Sequence, residues 1–226
     1  MAKPISIYTG FVGEIPATGA AGSTTYYPTQ DGINLVCTST LGLGVLRKAT
    51  DTGLQLQFDA VAEAAYAAIY LPPIIDPSKP FHMQTKLRLS NIGDNAALDA
   101  DWGLVSVIDA TTLANLDDAS MTSGARFHMD GNSANIMAQG SGGAAAIAST
   151  DTTIDNVTTA YKVFDISSGG DGVVRMYAAA AAVLSSTSFA ISTTIPLGVL
   201  INIEKTSDDT LAVLVADYLY VNGTSI

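Results

Sequence analysis

Charged side chains are scarce in this sequence. Of its 226 residues, 14% are charged and 48% are hydrophobic, whereas an ordinary soluble domain has about 25% charged residues. A surface with so little charge is typical of a protein that is partly covered by partners, so we expect an assembly rather than a free monomer. The length fits one large all-β domain with a sizeable core.

Basic residues are the scarcer of the two signs. There are 10 lysines and arginines against 21 acidic residues, which gives a net charge of −11. Affinity for duplex nucleic acid comes from cations that neutralise phosphates, so we expect no nucleic-acid partner. Only Glu14, Glu63 and Glu204 are glutamates, and the other 18 acidic residues are aspartates. Because aspartate favours turns, much of this charge belongs to connections between strands.

Cysteine and long apolar runs are also nearly absent. The single cysteine, Cys37, has no partner for an internal disulfide and lies in the apolar run INLVC, which predicts a buried thiol. The start MAKPISIYTG has no apolar segment of signal-peptide length. The longest apolar runs are far shorter than the roughly 20 residues that span a bilayer. We therefore expect no membrane partner and synthesis in a cytoplasm.

Motifs for catalysis and for metal binding are missing. His82 and His128 are the only histidines, and no serine stands in a G-x-S-x-G frame. Two histidines and one cysteine that lie far apart do not have the spacing of a zinc site. The three isolated glutamates do not form the paired carboxylates of a retaining glycosidase. We predict no enzymatic activity and no cofactor.

From residue 31 onward the sequence has the texture of a β protein. Short runs of apolar and β-branched residues alternate with turn residues, which indicates a sandwich or a barrel of antiparallel strands. The predicted strands are 33–38, 43–48, 53–59, 65–71, 81–90, 102–109, 125–129, 134–139, 160–167, 172–179, 197–206 and 210–222.

The clearest alternation is FHMQTKLRLS at residues 81–90. A period of two predicts one face in the core and the other toward solvent or a partner. The predicted core face carries Phe81, Met83, Thr85, Leu87 and Leu89, and the outer face carries His82, Gln84, Lys86, Arg88 and Ser90.

Two hairpins are predicted near the C-terminus. In YKVFDISSGGDGVVRMY (161–177), pairing Asp165 with Arg175 joins opposite charges and keeps the apolar residues on one face, with Phe164 opposite Met176 and Ile166 opposite Val174. The glycines then form a turn and not a phosphate or calcium loop. A second hairpin is predicted over 198–221, and its last strand is apolar on both faces, which favours a central place in a sheet or one face covered by another subunit.

Three segments are less regular. Residues 1–30 are rich in Gly, Ala, Thr and Pro, and we interpret them as an extended arm that precedes a domain at 31–226. Apolar residues in this arm, among them Phe11, Tyr26 and Tyr27, suggest that it docks on its own domain or on a neighbour. The segment 59–71 is alanine-rich and could be helical on propensity, and the low-complexity run 138–150 is predicted to be a flexible loop.

The acidic stretch SNIGDNAALDADWG is the best candidate for a ligand site. Asp94, Asn95, Asp99 and Asp101 could supply oxygens to a calcium ion, and Trp102 could stack on a sugar. The alternative is an aspartate-rich loop that leads into a strand whose tryptophan belongs to the core.

Three of the ten basic residues, Lys79, Lys86 and Arg88, cluster on or beside one strand. In an acidic protein this strip could face an acidic neighbour, and ordinary solvated or salt-bridged positions explain it equally well.

The order of several segments resembles a group of bacteriophage virion proteins. The similarity covers about residues 50–223, and its most recognisable pieces are KVFDI leading to VRMY and the terminal strand with ADYLYV. The resemblance implies a concanavalin A-like, laminin-G-type jelly roll of two sheets without enzymatic activity. It also implies a role on a capsid or tail as a decoration, cement or fibre-associated protein. We predict a decoration or cement protein on the capsid exterior, with the major capsid protein and copies of the same chain, as a homotrimer, as partners. A carbohydrate-binding module of a phage tail or fibre is the alternative.

Overall fold

A computed structural model describes residues 2–9, 24–28, 32–39, 44–48, 53–90, 98–106, 122–130, 135–142, 147–155, 160–185, 189–208 and 211–226. Within these ranges every regular element is a strand and no helix occurs. No helix in this part of the chain has the length and apolarity to cross a membrane.

The described residues form 17 strands. Their bounds are β1 (Pro4–Thr9), β2 (Thr24–Pro28), β3 (Asn34–Ser39), β4 (Gly44–Lys48), β5 (Leu54–Phe58), β6 (Glu63–Ile75), β7 (Phe81–Ser90), β8 (Leu98–Val105), β9 (Gly124–Asp130), β10 (Asn135–Ser141), β11 (Ile147–Asp155), β12 (Lys162–Ser168), β13 (Val173–Ala178), β14 (Ala181–Ala182), β15 (Phe189–Ala190), β16 (Leu197–Asp208) and β17 (Val213–Thr224).

The strands form two antiparallel sheets that pack as a sandwich. Sheet A has the order β14-β13-β12-β7-β17-β5-β4, with β1 added beside β17 and β15 beside β13. Sheet B has the order β11-β10-β9-β8-β16-β6-β3-β2. The predicted all-β, two-sheet antiparallel fold is therefore confirmed.

The core lies between the sheets and is built by period-two alternation. Along β7 the odd-numbered residues are buried and the even-numbered residues are half-buried or exposed, as the sequence pattern predicts. Aromatic side chains from both sheets fill the centre, and the largest of them are Phe58, Phe81, Trp102, Phe127, Phe164 and Phe189.

The hairpin of β12 and β13 exists, but its predicted register is wrong by two residues. Asp165 lies opposite Tyr177, and Arg175 lies opposite Ser167. The same residues still face the core, since a shift of two preserves the alternation. The charge pair is lost because Asp165 instead accepts hydrogen bonds from the neighbouring strand β7. The last pair before the turn is Ser168 and Val174, and within the turn Gly170 and Gly172 both adopt positive φ.

The second predicted hairpin is wrong. β16 pairs with β6 and β8 in sheet B, whereas β17 pairs with β7, β5 and β1 in sheet A. The chain between them therefore crosses from one sheet to the other. The central position predicted for the last strand is confirmed, because β17 has partners on both sides.

The structure also places the three segments whose sequences are less regular. The alanine-rich segment is strand β6, which pairs with β16 and β3 on its two edges. The run 138–150 is not a loop throughout, because β10 ends at Ser141 and β11 begins at Ile147. Within residues 1–30, β1 pairs with β17 and β2 pairs with β3, so both described stretches of the predicted arm dock on the sandwich.

Candidate functional site

A bulge in β17 shapes the outer surface of sheet A. The register shifts between Ala216 and Tyr218, so that Asp217 and Tyr218 together stand opposite Lys86. A bulge of this kind places two consecutive side chains on one face. Thr85, fully buried on the inner face of β7, donates its hydroxyl hydrogen to the Tyr218 carbonyl at 2.9 Å. The one polar residue on the core face of β7 thus satisfies the backbone of the bulge.

The outer face of sheet A carries a row of tyrosines and hydrogen-bonding side chains. Strand pairing aligns Tyr8, Tyr220, Gln84, Asp165 and Tyr177 across five neighbouring strands, which are spaced by about 4.8 Å. We call this surface the tyrosine face, and its members are Tyr8, His82, Gln84, Lys86, Asp165, Tyr177, Tyr218 and Tyr220.

Hydrogen bonds hold the centre of the tyrosine face. Asp165 Oδ1 accepts a hydrogen bond from Gln84 Nε2 at 2.7 Å and lies 2.9 Å from His82 Nε2. The Tyr218 hydroxyl donates to Gln84 Oε1 at 2.7 Å. Burial raises the pKa of Tyr218, and the nearby carboxylate of Asp165 adds to the rise. The side chains are therefore held in place before any partner arrives.

Ring contacts extend this ordering to the edges of the face. The Tyr8 ring, 67% exposed, lies 5.9 Å from the ring of Tyr218, and the Tyr220 ring meets the imidazole of His82 edge-on at 5.6 Å. Asn222 Nδ2 donates to the Tyr220 hydroxyl at 2.9 Å. The result is an ordered aromatic surface in which the Tyr8 ring is exposed and Tyr177, Tyr218 and Tyr220 are half-buried.

The predicted basic strip is bound into the same surface. Lys86 Nζ lies 2.6 Å from Asp217 Oδ2, and this hydrogen bond is the main reason why the pKa of Lys86 is raised. Lys86 and Arg88 both lie over the ring of Tyr161, at 5.0 and 5.2 Å from its centroid. Lys79 is exposed in the turn before β7. The strip is therefore partly neutralised by the protein itself.

The ligand candidates of the acidic stretch lie mainly on strand β8. Trp102 is fully buried and packs against Phe127 and Phe164 at ring distances of 6.0 and 5.0 Å. A ring without exposed surface offers no face to a sugar, so Trp102 is the core residue of the alternative interpretation. Asp99 and Asp101 lie on the opposite, outer face of β8, and Asp94 and Asn95 lie outside the described residues.

Asp101 belongs to a buried polar cluster on the outer face of sheet B. Arg126 Nη1 lies 2.7 Å from Asp101 Oδ1, and Arg126 Nε donates to Gln139 Oε1 at 2.8 Å. Asn202 stands opposite Asp101 on β16 and is fully buried, with no hydrogen bond to its amide atoms. Within the described ranges no three His, Cys, Asp or Glu side chains converge as metal ligands.

A serine and a histidine also meet on sheet B. Ser149 Oγ lies 2.8 Å from His128 Nε2, which links β11 to β9 across β10. A nucleophilic serine needs such a base and also a carboxylate that orients the imidazole. Asp101 lies directly opposite His128, and its Oδ1 accepts a hydrogen bond from Arg126 Nη1 at 2.7 Å.

The predicted interface residues are only partly placed. Lys86 and Arg88 lie on the outer face of β7, whereas Phe11 lies outside the described residues, and for Tyr26 and Tyr27 the structure describes only the backbone of β2. Sequence reasoning missed the members of the tyrosine face on β1, β13 and β17. The alternation of tyrosine with apolar residues in DYLYV was the available signal for β17.

Comparisons with known proteins support the fold. The sequence matches no family model and no curated protein. A solved protein of unknown function from Shewanella oneidensis MR-1 is similar with a TM-score of 0.61 at 10% identity, over 98% of this chain and 87% of that chain.

Two other similar structures are a carbohydrate recognition domain and an alginate lyase. The carbohydrate recognition domain of Emp46p in its potassium-bound form has a TM-score of 0.52 at 8% identity, over 74% of this chain and 82% of that one. Alginate lyase AlyC3 in complex with dimannuronate has a TM-score of 0.52 at 8% identity, over 75% and 74%. At such identities the likeness shows the fold alone, which is the concanavalin A-like sandwich.

Proposed function

We propose that this protein is a non-catalytic structural component of a bacteriophage virion that binds neighbouring subunits through the tyrosine face. The observation that carries the proposal is the ordered set of tyrosine rings on one sheet. Tyrosine and arginine are enriched in the central residues of protein interfaces. Because Gln84, Asp165 and Tyr218 are already fixed by hydrogen bonds, binding loses little side-chain entropy.

On a capsid this surface would act as cement. The tyrosine face of each copy would bury its rings against the major capsid protein or against another copy, and a trimer on the capsid exterior fits the sequence resemblance. Such a function needs adhesion and no reacting group, in accordance with the scarcity of catalytic motifs.

Co-sedimentation with shells of the phage that encodes the protein tests this proposal. We expect the unmodified protein to bind, and the double variant Tyr8→Ala/Tyr220→Ala to bind about thirtyfold more weakly or worse, since truncating a single hot-spot tyrosine costs about 2 kcal/mol or more. Val61→Ser, which changes an exposed apolar residue away from the face, is the matched control. Unmodified protein that ignores the shells contradicts the virion role.

A second experiment addresses the non-catalytic part. A fluorophosphonate probe reports serines that a histidine has activated, and Ser149 with His128 is the pair to examine. We expect no labelling of Ser149 above that of Ser149→Ala. Stoichiometric labelling contradicts the assignment as a structural protein.

Saccharide binding by the tyrosine face is a second candidate function. The specific observation is the alternation of ring surfaces with amide, carboxylate and imidazole groups at strand spacing, as in the row Tyr220, Gln84, Asp165. Sugars present apolar C–H faces and hydroxyl groups that suit such a pattern. Two similar structures are a carbohydrate recognition domain and a complex with dimannuronate.

A glycan array distinguishes the two candidates. Specific glycan signals that disappear in Tyr8→Ala/Tyr220→Ala support saccharide binding. An empty array together with shell binding supports the subunit-binding function.

A further inference from the structure

An edge of sheet A is interrupted beside the tyrosine face. Along β13, the strand β15 pairs with Val173 and Val174, and β14 pairs with Tyr177 and Ala178. Arg175 lies between these two short strands. On this edge of β13, away from β12, no strand of the described residues pairs with Arg175. The gap is a notch in the sheet edge and not a continuous ladder.

The notch contains a cavity whose lining is mainly aliphatic, with a few polar and aromatic side chains. Its volume is about 280 Å³, close to the lower end of the range for small-molecule sites, about 300 Å³. The side chains around it include Arg175, Tyr177, Leu184, Ser185 and Phe189. Arg175 and Ser185 are exposed, so the cavity is accessible from solvent.

Within the described ranges, Arg175 is a guanidinium without a carboxylate or carbonyl partner. Lys86 and Arg126 are ion-paired, and Lys205 is buried on carbonyl oxygens. Among the described residues, no carboxylate or carbonyl oxygen accepts a hydrogen bond from Arg175. The carboxylate of Asp165, on the neighbouring strand β12, is occupied by His82 and Gln84. Arg175 is therefore free to bind an external anion.

Backbone strain is concentrated around the notch. Ala179, Ala180 and Leu184 all have positive φ, at 50°, 64° and 50°. Non-glycine residues rarely adopt this conformation, and they cluster where function requires a particular backbone path. The strained segment turns the chain so that Val183 N bonds Met176 O at 2.9 Å, which forms one wall of the cavity.

We propose that this notch binds a hexuronate, a sugar whose carboxylate pairs with Arg175. A guanidinium binds a carboxylate through two parallel hydrogen bonds. Tyr177 supplies a ring surface, and Ser185 supplies a hydroxyl that can bond to sugar hydroxyls. The net charge of −11 repels anions in general, so a bound carboxylate requires such a local cation. The proposal goes beyond the adhesion function, because it does not involve Tyr8 or Tyr220.

Titration calorimetry with glucuronate, glucose, acetate and a short poly-glutamate peptide tests the proposal. We expect glucuronate to bind and the other three to bind at least about tenfold more weakly. Arg175→Gln should weaken glucuronate binding about tenfold or more, because charge-assisted hydrogen bonds are lost. Arg175→Lys should retain only part of the affinity, since an ammonium cannot make the paired contact. Lys3→Gln removes another exposed cation and should have no effect.

Several results overturn the assignment. Absence of glucuronate binding, or equal binding by Arg175→Gln, excludes the notch as the site. Acetate or the peptide binding as tightly as glucuronate excludes a sugar as the preferred ligand. Tyr8→Ala/Tyr220→Ala should retain glucuronate binding, so failure of the tyrosine face and failure of the notch are distinguishable. Thermal melting of each variant verifies that it is folded.

Discussion

At the scale of single residues, polar groups in buried places define the most informative positions. Thr85 interrupts an otherwise apolar inner face, and its hydroxyl satisfies the Tyr218 carbonyl at the bulge of β17. We predict that Thr85→Val lowers the free energy of unfolding by about 1–3 kcal/mol, because the carbonyl loses its partner. Thr85→Ser, which retains the hydroxyl, should cost less. Urea denaturation of both variants measures the difference, and equal stability of Thr85→Val and the unmodified protein contradicts this role.

Arg126 is the second residue with a buried partner. Its side chain is 2% exposed and pairs with Asp101, which is 11% exposed. We predict that Arg126→Met costs about 3–5 kcal/mol, because it leaves a buried carboxylate without its cation. The double variant Arg126→Met/Asp101→Leu should recover much of this loss. Additive losses in the double-mutant cycle would show that the two residues act independently.

Trp102 provides a local reporter, since it is the only tryptophan in the chain. Its ring is fully buried between sheets. We predict weak quenching of the native fluorescence by acrylamide, and no spectral change when calcium or neutral sugars are added. A ligand-dependent shift in the emission would return the acidic stretch to consideration as a binding site.

At the scale of elements, the turn between β13 and β14 contradicts its own residue types. Ala178 pairs with Ala181, so Ala179 and Ala180 form a two-residue turn in which both have positive φ. Such turns favour Asn-Gly, because alanine is strained there. We predict that Ala179→Asn/Ala180→Gly raises the free energy of unfolding by about 1 kcal/mol.

Ala182→Gly is the matched control for that prediction. Ala182 lies one residue beyond the pair Ala178–Ala181 that closes the turn. It introduces glycine where no positive φ is needed and should lower the free energy of unfolding by about 0.5–1 kcal/mol. Thermal and urea unfolding distinguish the two effects. A destabilised turn variant would show that the alanines are not strained.

At the scale of the whole molecule, the pKa shifts on the tyrosine face predict how stability depends on pH. Lys86 and Tyr218 both have raised pKa values in the folded protein, so each holds its proton more tightly when folded. Their contribution is therefore fully present below their unfolded pKa values, about 10, and is lost as the pH rises through the folded values.

We predict that the free energy of unfolding falls between about pH 9.5 and about pH 11.5. Tyr218→Phe and Lys86→Gln should each have a shallower slope in this window, whereas Lys3→Gln should not. Denaturant unfolding at a series of pH values measures the slopes. Identical slopes in all variants would show that the two groups do not govern the alkaline response.

From the sequence alone, twelve of the strands after residue 31 could be predicted, together with the buried face of β7, whereas β1, β2, β11, β14 and β15 could not. The alternation in β7 and the apolar character of β17 can be recognised in the sequence, because side chains of a strand alternate faces with a period of two whatever the partner strand is. Composition also indicated the all-β class, through short apolar runs separated by aspartate and glycine.

The neighbours of each strand, and the side-chain contacts between strands, depend on the three-dimensional fold. Consecutive strands β16 and β17 separate into different sheets, and Asp165 pairs across to β7 rather than along its own hairpin, because pairing between distant segments is selected by the packing of both sheets together. The tyrosine face arises in the same way, since its residues come from strands that are far apart in sequence. The residues of the Arg175 notch are close in sequence, but the pairing of β14 and β15 with β13 that shapes the notch is a tertiary feature. Local periodicity contains no information about such partners.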